Sequence, residues 1–340
     1  MKIMQVMAGG KFGGAEAFFV RLACGLHKSG LDQKVIIREN EARAQSLRVG
    51  GIEPIELKFG GLMDWQTPRE LKLEIKKFSP DIVLTWMNRA TAACPTGDFS
   101  HVGRLGGYYD LKYYQSCDHL IGNTQDIVRY LINESWPEER AHYLPNFVWS
   151  ERMQAIAREE HYTPETAPLV LAMGRLHENK AFDVLLQALS RVPNAYLWIA
   201  GDGPLKEELK KIAEVLGVKP RVRFLGWRDD MPKLMAACDL FVCPSRYEPL
   251  GNVVVEAWAH NCPVIAADSL GPGTLIQHLE SGVLVPVDDA ETLAKAMRMV
   301  LEDKILANQI SRRGFEVFES HFTEERVINR YIDFFNRIVV

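Results

Sequence analysis

Two glutamates frame the segment EPLGNVVVE, which runs from Glu248 to Glu256. The apolar run before it, LFVCPS (240–245), predicts a strand, and ligands of open α/β sheets bind in the loops at the carboxyl ends of strands. We predict a helix with Asn252 as its N-cap, although the three valines that follow favour a strand. One acid before the helix and one a turn inside it can bind hydroxyls at two ends of one ligand. The alternative is an exposed loop acid and a surface helical acid.

Two cations in an earlier loop suit the charge of such a ligand. Arg175 and Lys180 follow the predicted strand PLVLAMG (168–174) and precede a predicted helix. An Arg fork and a Lys point charge beside helix-terminal amides fit a diphosphate, and the alternative is a solvated polar loop. The sequence contains no Asp-x-Asp, and we expect the acid pairs at 229–230 and 288–289 in turns or helix caps. We therefore predict that fixed cations stabilise a leaving diphosphate, with no metal ion and no cofactor.

A glycine-rich loop, AGGKFGGAE (8–16), follows the first predicted strand. Its four glycines allow backbone N–H groups to approach an anion at a helix N-terminus. The pattern nearly meets the dinucleotide fingerprint, and Glu39 follows the second predicted strand, where a ribose-binding acid would stand. A nicotinamide-dependent enzyme therefore stays open as an alternative, as does a loop whose glycines only turn the chain.

Strands and helices alternate along the chain and the pattern restarts near its middle, which predicts two α/β domains with parallel sheets. The boundary is expected at 147–167. We predict strands at 2–8, 33–38, 81–87, 119–123, 168–174, 222–227, 240–245 and 263–267, and a strand followed by a loop at 195–204. Helices are predicted at 15–30, 68–80, 126–135, 181–192, 205–217 and 322–339.

Length and composition are those of an ordinary soluble protein. The 340 residues suit two domains, and a net charge of −4 argues against a nucleic-acid partner. The six cysteines form no Cys-x-x-Cys pair and are expected to be reduced core thiols. No apolar run reaches the roughly 18 residues that span a bilayer, and glycines interrupt the N-terminal apolar stretch, unlike a signal peptide. We expect a cytoplasmic protein, with peripheral contact at the inner-membrane face left open.

Taken in order, these segments resemble the retaining glycosyltransferases of the GT-B fold, family 4 (glycosyltransferase group 1). The resemblance rests on GGAE (13–16), GRLHENKAFDVLLQAL, IAGDGPLKEEL, RVRFLGW, EPLGNVVVEAWAHNCPVIAAD and GVLVPVDDAETLAKAM. It implies an α/β fold of two Rossmann-like, doubly wound domains that face each other across a cleft. Residues 1–150 would form the acceptor-binding domain and residues 151–321 the nucleotide-sugar-binding domain. Residues 322–340 would form a helix that crosses back to the first domain.

The resemblance also implies roles at the nucleotide-sugar donor. Glu256 would hold the ribose hydroxyls and Glu248 the hydroxyls of the donor sugar. The amides of Leu250, Gly251 and Asn252 would contact the sugar and the phosphate.

The catalytic set implied by the resemblance joins Glu248 to Arg175 and Lys180, which would neutralise the departing diphosphate. Three glycines would complete the donor site, namely Gly13 and Gly14 at the phosphate and Gly226 near the base.

The acceptor side departs from the family pattern. Many members have a histidine near the reacting sugar carbon, at the end of a strand of the first domain. The corresponding region here is HVGRLGGYYDLKYY (101–114), in which His101 stands upstream of the expected position. We expect acceptor specificity in the loops 59–67 and 86–110. Four residues lie nearest the expected position: Arg104, Tyr108, Tyr109 and Asp110.

The resemblance predicts a metal-independent retaining glycosyltransferase that moves a hexose-type sugar from a nucleotide-diphosphate sugar to a hydroxyl of a glycan or lipid-linked acceptor. By analogy the product belongs to lipopolysaccharide, capsule or exopolysaccharide synthesis. Two alternatives remain, a sugar-nucleotide epimerase on the same fold and a non-catalytic protein that binds sugar nucleotides.

Overall fold

The computed structural model describes residues 1–11, 13–60, 64–148, 150–151 and 153–339. The chain divides into two compact units. Unit 1 comprises Met1–Phe147 and Glu324–Val340, and unit 2 comprises Val148–Thr323. Each unit is built on a parallel sheet with helices between its strands. The predicted α/β class, with two Rossmann-like doubly wound sheets, is confirmed.

A parallel sheet of seven strands, counted over the described residues, forms the centre of unit 1. The strands are β1 (Lys2–Met7), β2 (Asp32–Arg38), β3 (Ile55–Leu57), β4 (Ile82–Trp86), β5 (Ser100–Leu105), β6 (His119–Gly122) and β7 (Ala141–Tyr143). Their spatial order is β3-β2-β1-β4-β5-β6-β7. All five residues of β4 are buried, as expected for a central strand covered on both faces.

Helices connect these strands and cover both faces of the sheet. Apolar side chains of the first helix, including Phe18, Phe19 and Leu22, pack on one face. The helices of this part are α1 (Gly14–Lys28), α2 (Glu41–Val49), α3 (Gln66–Phe78), α4 (Asn88–Ala93) and α5 (Gln125–Asn133), with short 3-10 turns at Leu111–Tyr113 and Glu138–Arg140.

Unit 2 repeats the plan with six parallel strands among the residues described there. The strands are β8 (Leu169–Met173), β9 (Tyr196–Ala200), β10 (Val222–Gly226), β11 (Leu240–Cys243), β12 (Val264–Ala267) and β13 (Val283–Val285). Their spatial order is β10-β9-β8-β11-β12-β13, so the chain reverses direction across the sheet between β8 and β11. Ligands of such sheets bind at this switch point, outside the carboxyl ends of the strands.

Helices cover both faces of the unit 2 sheet, which separates two apolar clusters. They are α6 (Phe182–Ser190), α7 (Lys206–Val215), α8 (Met231–Ala237), α9 (Asn252–Ala259), α10 (Leu270–Leu275), α11 (Ala290–Glu302) and α12 (Lys304–His321), with 3-10 turns at Arg158–His161, Glu178–Lys180 and Lys219–Arg221.

The last helix, α13 (Glu324–Ile338), belongs to unit 1 although unit 2 precedes it in the sequence. Its apolar side chains, among them Val327, Tyr331 and Phe334, join the core formed by α1 and the sheet. The Tyr331 hydroxyl accepts a hydrogen bond of 2.8 Å from Nε of Arg104 on β5. This polar contact within the core ties the helix to the sheet.

Candidate functional site

The glutamate-containing segment folds as a loop followed by α9. The helix begins at Asn252, against the strand preference of its valines, because Val254 and Val255 pack into the core of unit 2. The predicted Asn252 N-cap is wrong: Gly251 is the N-cap, with φ +67°, and no side chain caps the helix. Glycine adopts left-handed backbone angles at little energetic cost, so it can occupy the N-cap position where no side chain caps the helix. Asn261 ends the segment in a left-handed conformation, with φ +55°, which asparagine tolerates.

Glu248 is a buried acid, since only 8% of the residue is exposed. Its Oε2 forms an ion pair with Nζ of Lys180, a side chain that is itself only 21% exposed. Oε1 accepts no hydrogen bond from the described residues, so it remains able to accept one from a ligand hydroxyl. The structure thus excludes an exposed loop acid at this position and joins two of the three predicted catalytic residues.

The loop between the two glutamates presents backbone donors. The N–H groups of Leu250 and Gly251 form no hydrogen bond with the described residues. A backbone hydrogen bond from α10 holds the loop, because the Gly271 N–H donates to the Glu248 carbonyl oxygen at 2.7 Å. A Cβ at Gly271 would lie 2.7 Å from that oxygen and from the Gly251 nitrogen, so only glycine permits this approach. The free amides lie next to the positive end of α9 and can receive an anion.

Glu256 is half-buried on α9, one turn after the helix begins. Its neighbours Val255 and Ala257 are buried, which leaves the glutamate on the edge of the apolar face. The predicted position one turn inside the helix is therefore correct. Its role toward a ribose stays a prediction.

The carboxyl ends of β8, β9 and β10 are closed by glycines in close backbone contact. Gly201, at φ +145°, would place a Cβ only 1.9 Å from the Gly174 carbonyl oxygen. Its N–H donates to the Gly226 carbonyl oxygen at 2.7 Å, and Gly226 itself has φ +71°. Arg175 follows this edge as an exposed side chain without an ion pair among the described residues. The Arg175 side chain and a glycine backbone surface without Cβ atoms thus lie at the same edge of the sheet.

Arg246 was missed by the sequence reasoning, although it joins the loops that carry Lys180 and Glu248. Its guanidinium donates to both Asp183 oxygens, at 3.0 and 2.7 Å, and to the Glu178 carbonyl oxygen at 2.9 Å. A second carboxylate, that of Asp288, accepts from Nε at 2.5 Å. The bidentate contact links the loop that carries Glu248 to α6, which follows the turn that carries Lys180. Only its position two residues before Glu248 could have indicated from the sequence that Arg246 belongs to the site.

The first glycine loop holds a carboxylate of the chain itself. Oε1 of Glu16 accepts a hydrogen bond of 2.7 Å from the Gly10 N–H. A Cβ at Gly13 would lie 2.2 Å from Oε2 of Glu16, whereas a Cβ at Gly14 would meet nothing within 4 Å. The expected anion cradle is therefore filled at Gly10 by an internal acid. Contact of Gly13 and Gly14 with a phosphate stays a prediction.

The acceptor-side candidates separate into buried and exposed groups. Arg104 is 3% exposed and its guanidinium carbon lies 4.4 Å from the Trp86 ring centroid. With its bond to Tyr331, this makes Arg104 a core residue of unit 1 rather than an open ligand contact. Asp110 is exposed and caps a 3-10 turn by accepting from the Lys112 N–H at 2.9 Å.

Tyr108 and Tyr109 are half-buried beside α5. The Tyr108 hydroxyl donates to Asp126 and lowers the pKa of that carboxyl. The Tyr109 carbonyl oxygen accepts from the Tyr130 hydroxyl at 2.9 Å. Both tyrosines therefore position the loop after β5, and an acceptor contact by either stays a prediction.

His101 lies on β5 as the second residue of the strand and is 4% exposed. Nδ1 lies 3.1 Å from the Ser116 carbonyl oxygen and Nε2 lies 3.0 Å from the Thr85 hydroxyl. Burial lowers the pKa of this imidazole, so it stays neutral at pH 7. Its position in the core, away from the carboxyl end of the strand, agrees with the expectation that it stands upstream of the reacting position.

Three remaining expectations concern acids, cysteines and membranes. Asp289 caps α11 by accepting from the Thr292 N–H at 2.9 Å, as expected for an adjacent acid pair. All six cysteines are free thiols. Within the described ranges, no group of three or more His, Cys, Asp or Glu could hold a metal ion, and no helix has the length and apolarity needed to cross a bilayer.

Comparison with known proteins identifies two family models that together cover most of the chain. Residues 153–317 match the model of glycosyl transferases group 1, and residues 12–152 match that of glycosyltransferase family 4. The lipopolysaccharide core biosynthesis glycosyltransferase LpsE of Rhizobium meliloti is 36% identical over 328 residues, which are 95% of this chain and 96% of LpsE.

Solved structures share the fold over the full length. A glycosyltransferase from Rickettsia africae matches with a TM-score of 0.88 at 20% identity, over 99% of this chain and 98% of its own. HepE from Anabaena, in complex with UDP and glucose, matches with a TM-score of 0.83 at 21% identity, over 99% of each chain. Together with the identity to LpsE, the two family models establish that this chain belongs to the family 4, group 1 glycosyltransferases.

Proposed function

We propose that this glycosyltransferase moves a hexose-type sugar from a nucleotide-diphosphate sugar to a hydroxyl of a glycan or lipid-linked acceptor. The transfer retains the anomeric configuration and uses no metal ion. The observation that carries the proposal is the buried Lys180–Glu248 pair beside the unused amides of Leu250 and Gly251. A cation, an acid and backbone donors are the groups that a sugar diphosphate requires.

In this proposal, the donor lies along the loop from Glu248 to Glu256. Glu256 accepts from the ribose hydroxyls, and Oε1 of Glu248 accepts from a hydroxyl of the donor sugar. The amides of Leu250, Gly251 and Asn252 donate to the sugar and the phosphates between these two ends. Gly226 lies near the base, while Gly13 and Gly14 contact a phosphate. The UDP complex of HepE supports a nucleotide-sugar donor on this fold.

Charge on the leaving diphosphate is stabilised by Arg175, Lys180 and the amides of the loop. Lys180 has three N–H donors, so its pairing with Glu248 leaves others for a phosphate oxygen. The sugar–phosphate bond breaks and the acceptor oxygen attacks the same face of the sugar. Attack on the same face retains the configuration without a protein nucleophile, and a leaving phosphate oxygen takes the acceptor proton.

The acceptor assignment follows from relatives. LpsE is named for lipopolysaccharide core biosynthesis and matches this chain over nearly its whole length. We therefore propose that the acceptor is a growing lipopolysaccharide core, with unit 1 as the acceptor-binding unit and unit 2 as the donor-binding unit. Transfer then takes place in the cytoplasm, at or near the cytoplasmic membrane face.

A thermal-shift screen of UDP-, GDP-, ADP- and TDP-sugars, with and without EDTA, tests the donor assignment. A ligand at 100 times its dissociation constant adds about 2.7 kcal/mol to the stability of the state that binds it. If none of the sugar nucleotides raises the melting temperature, the donor assignment is wrong. If EDTA abolishes the shift, the metal-free mechanism is wrong.

Product analysis then separates the remaining alternatives. NMR of the product with the identified donor should show the anomeric configuration of that donor, and an inverted product would refute retention. Conversion of the nucleotide sugar without an acceptor would instead indicate an epimerase. Binding without turnover in the presence of core acceptors would indicate a non-catalytic protein.

A further inference from the structure

A cavity of about 530 Å³ lies in unit 1, at the carboxyl ends of β3 and β4. It is lined by the segment after β3 and by α4, and so by parts of the two loops in which acceptor specificity was expected. Residues 61–63 of the first loop lie outside the described residues. Its lining includes four polar side chains and a tyrosine: Asp64, Thr67, Asn88, Arg89 and Tyr113.

Hydrogen bonds within the chain orient the side chains of Asn88 and Arg89 and leave some of their N–H groups unused. Oδ1 of Asn88 accepts from the Tyr114 hydroxyl at 2.6 Å, and its Nδ2 has no partner among the described residues. Nη1 of Arg89 donates to the Phe59 carbonyl oxygen at 2.9 Å, while Nε and Nη2 have no partner in the same described part. Both residues can therefore donate to a ligand.

Asp64 supplies the matching acceptor. The hydroxyl and N–H of Thr67 and the Gly60 N–H donate to this carboxyl and lower its pKa to about 2, so it is ionised at neutral pH. Oδ1 accepts only one of these bonds, which leaves lone-pair capacity for a hydroxyl. The charges of Asp64 and Arg89 offset each other, which favours a neutral ligand over a phosphate or a carboxylate.

The backbone beside the cavity is strained. Met87, between β4 and α4, has φ +72° and ψ 146°, and Phe59 has φ +45°. Left-handed angles are strained in bulky residues and cluster at ligand sites. Tyr113, on the rim, is 43% exposed and offers an aromatic face to a sugar ring.

We propose that this cavity is the subsite for a neutral sugar ring of the acceptor. Asn88 and Arg89 donate to adjacent hydroxyls, Asp64 accepts from one, and Tyr113 stacks on the ring. The assignment of the sugar as the acceptor rests on the proposed glycosyltransfer. The presence of the sugar subsite itself is tested independently of that function.

Saturation-transfer NMR on the full chain tests the subsite. The probes are the methyl α-glycosides of glucose, galactose and mannose, titrated with the donor site filled by the nucleoside diphosphate that gives the largest thermal shift. We expect at least one glycoside to bind. Tyr113→Ala and Arg89→Leu should each weaken it about tenfold, the loss expected for one good contact. Tyr162→Ala, at a tyrosine that is 83% exposed in unit 2, is the matched control and should change nothing.

Three results would overturn the proposal: no bound glycoside, binding that survives both variants, or tighter binding of glucuronic acid or glucose 6-phosphate than of the neutral probes. The nucleotide shift should be unchanged in both variants, which checks that they are folded. If no nucleotide raises the melting temperature, the donor assignment is refuted and the sugar subsite is not. The glycoside titration is then carried out without nucleotide.

Discussion

Replacement of Lys180 by methionine should destabilise unit 2 as well as impair turnover. The change keeps most of the apolar stem of the side chain and removes the ammonium group that pairs with Glu248. Glu248 would then be left as a buried carboxylate without its cation. Arg246 cannot replace that cation, since its guanidinium is already held by Asp183 and Asp288.

The magnitude follows from the burial of the pair. The Lys180 side chain is 21% exposed and that of Glu248 is 11% exposed. Removal of one partner from a fully buried pair costs about 3–5 kcal/mol. Residual hydration of this pair reduces the expected loss to about 3 kcal/mol. For a unit of this size, a loss of 1 kcal/mol lowers the melting temperature by about 2–4 °C, so we expect a decrease of about 6–12 °C.

Differential scanning calorimetry of the full chain measures this loss, with two further variants for comparison. Lys206→Met removes a cation from an exposed pair with Asp202 and should cost less than about 1 kcal/mol. The double variant Lys180→Met, Glu248→Gln should recover most of the stability but not the activity, because the buried charge is gone and the phosphate contact is not restored. The reasoning is refuted if Lys180→Met behaves like Lys206→Met, or if the double variant is no more stable than the single one.

Three further predictions concern the nucleotide, the loop and the C-terminal helix. Glu256→Gln should raise the dissociation constant of the nucleoside diphosphate about 10- to 100-fold in calorimetric titration, because hydrogen bonds to a charged group are lost; a change below about threefold would contradict a ribose contact. Gly251→Ala should lower the stability to urea by about 1–3 kcal/mol, since φ is +67° and the new Cβ would lie 2.7 Å from Leu275, whereas Gly14→Ala should cost less than about 1 kcal/mol. Burial lowers the pKa of His142 to about 4, so the unfolded chain binds more protons at this residue than the folded chain does. Unit 1 should therefore lose stability as pH falls from about 6.5 through 4. An equally steep loss in a His142→Phe variant would rule out His142 as the cause.

The alternation of elements could be predicted from the sequence because long apolar runs and amphipathic helices carry strong periodic signals. Short elements could not. Strands β3 and β7 have three residues each, too few to show alternation, and they exist because a neighbouring strand offers them backbone partners. Helix α2 is polar on most of its surface, and its clearest signal, the Asn40 cap that accepts from the Arg43 N–H, was overlooked.

The positions of Arg175, Lys180 and Glu248 in loops that follow strands of unit 2 were also predictable, since loops at the carboxyl ends of parallel strands meet at one edge. Their partners were not. Arg246 contacts Asp183 and Asp288, which lie 63 and 42 positions away, and no local pattern indicates such pairs. The same limit applies to Lys180 and Glu248, which were predicted as separate ligand contacts and form an ion pair with each other.

The first glycine loop shows how a ligand-binding pattern can be satisfied by the chain itself. Gly10 is held on both sides, because its N–H donates to Glu16 and its carbonyl oxygen accepts from Arg43 at 2.5 Å. Gly9 and Gly13 lack the room for a Cβ because the Glu16 carboxyl group occupies that space. A side chain at either position would therefore displace the Glu16 carboxyl group. A Cβ at Gly14 would meet nothing within 4 Å, and the proposed contact of Gly14 with a donor phosphate stays a prediction.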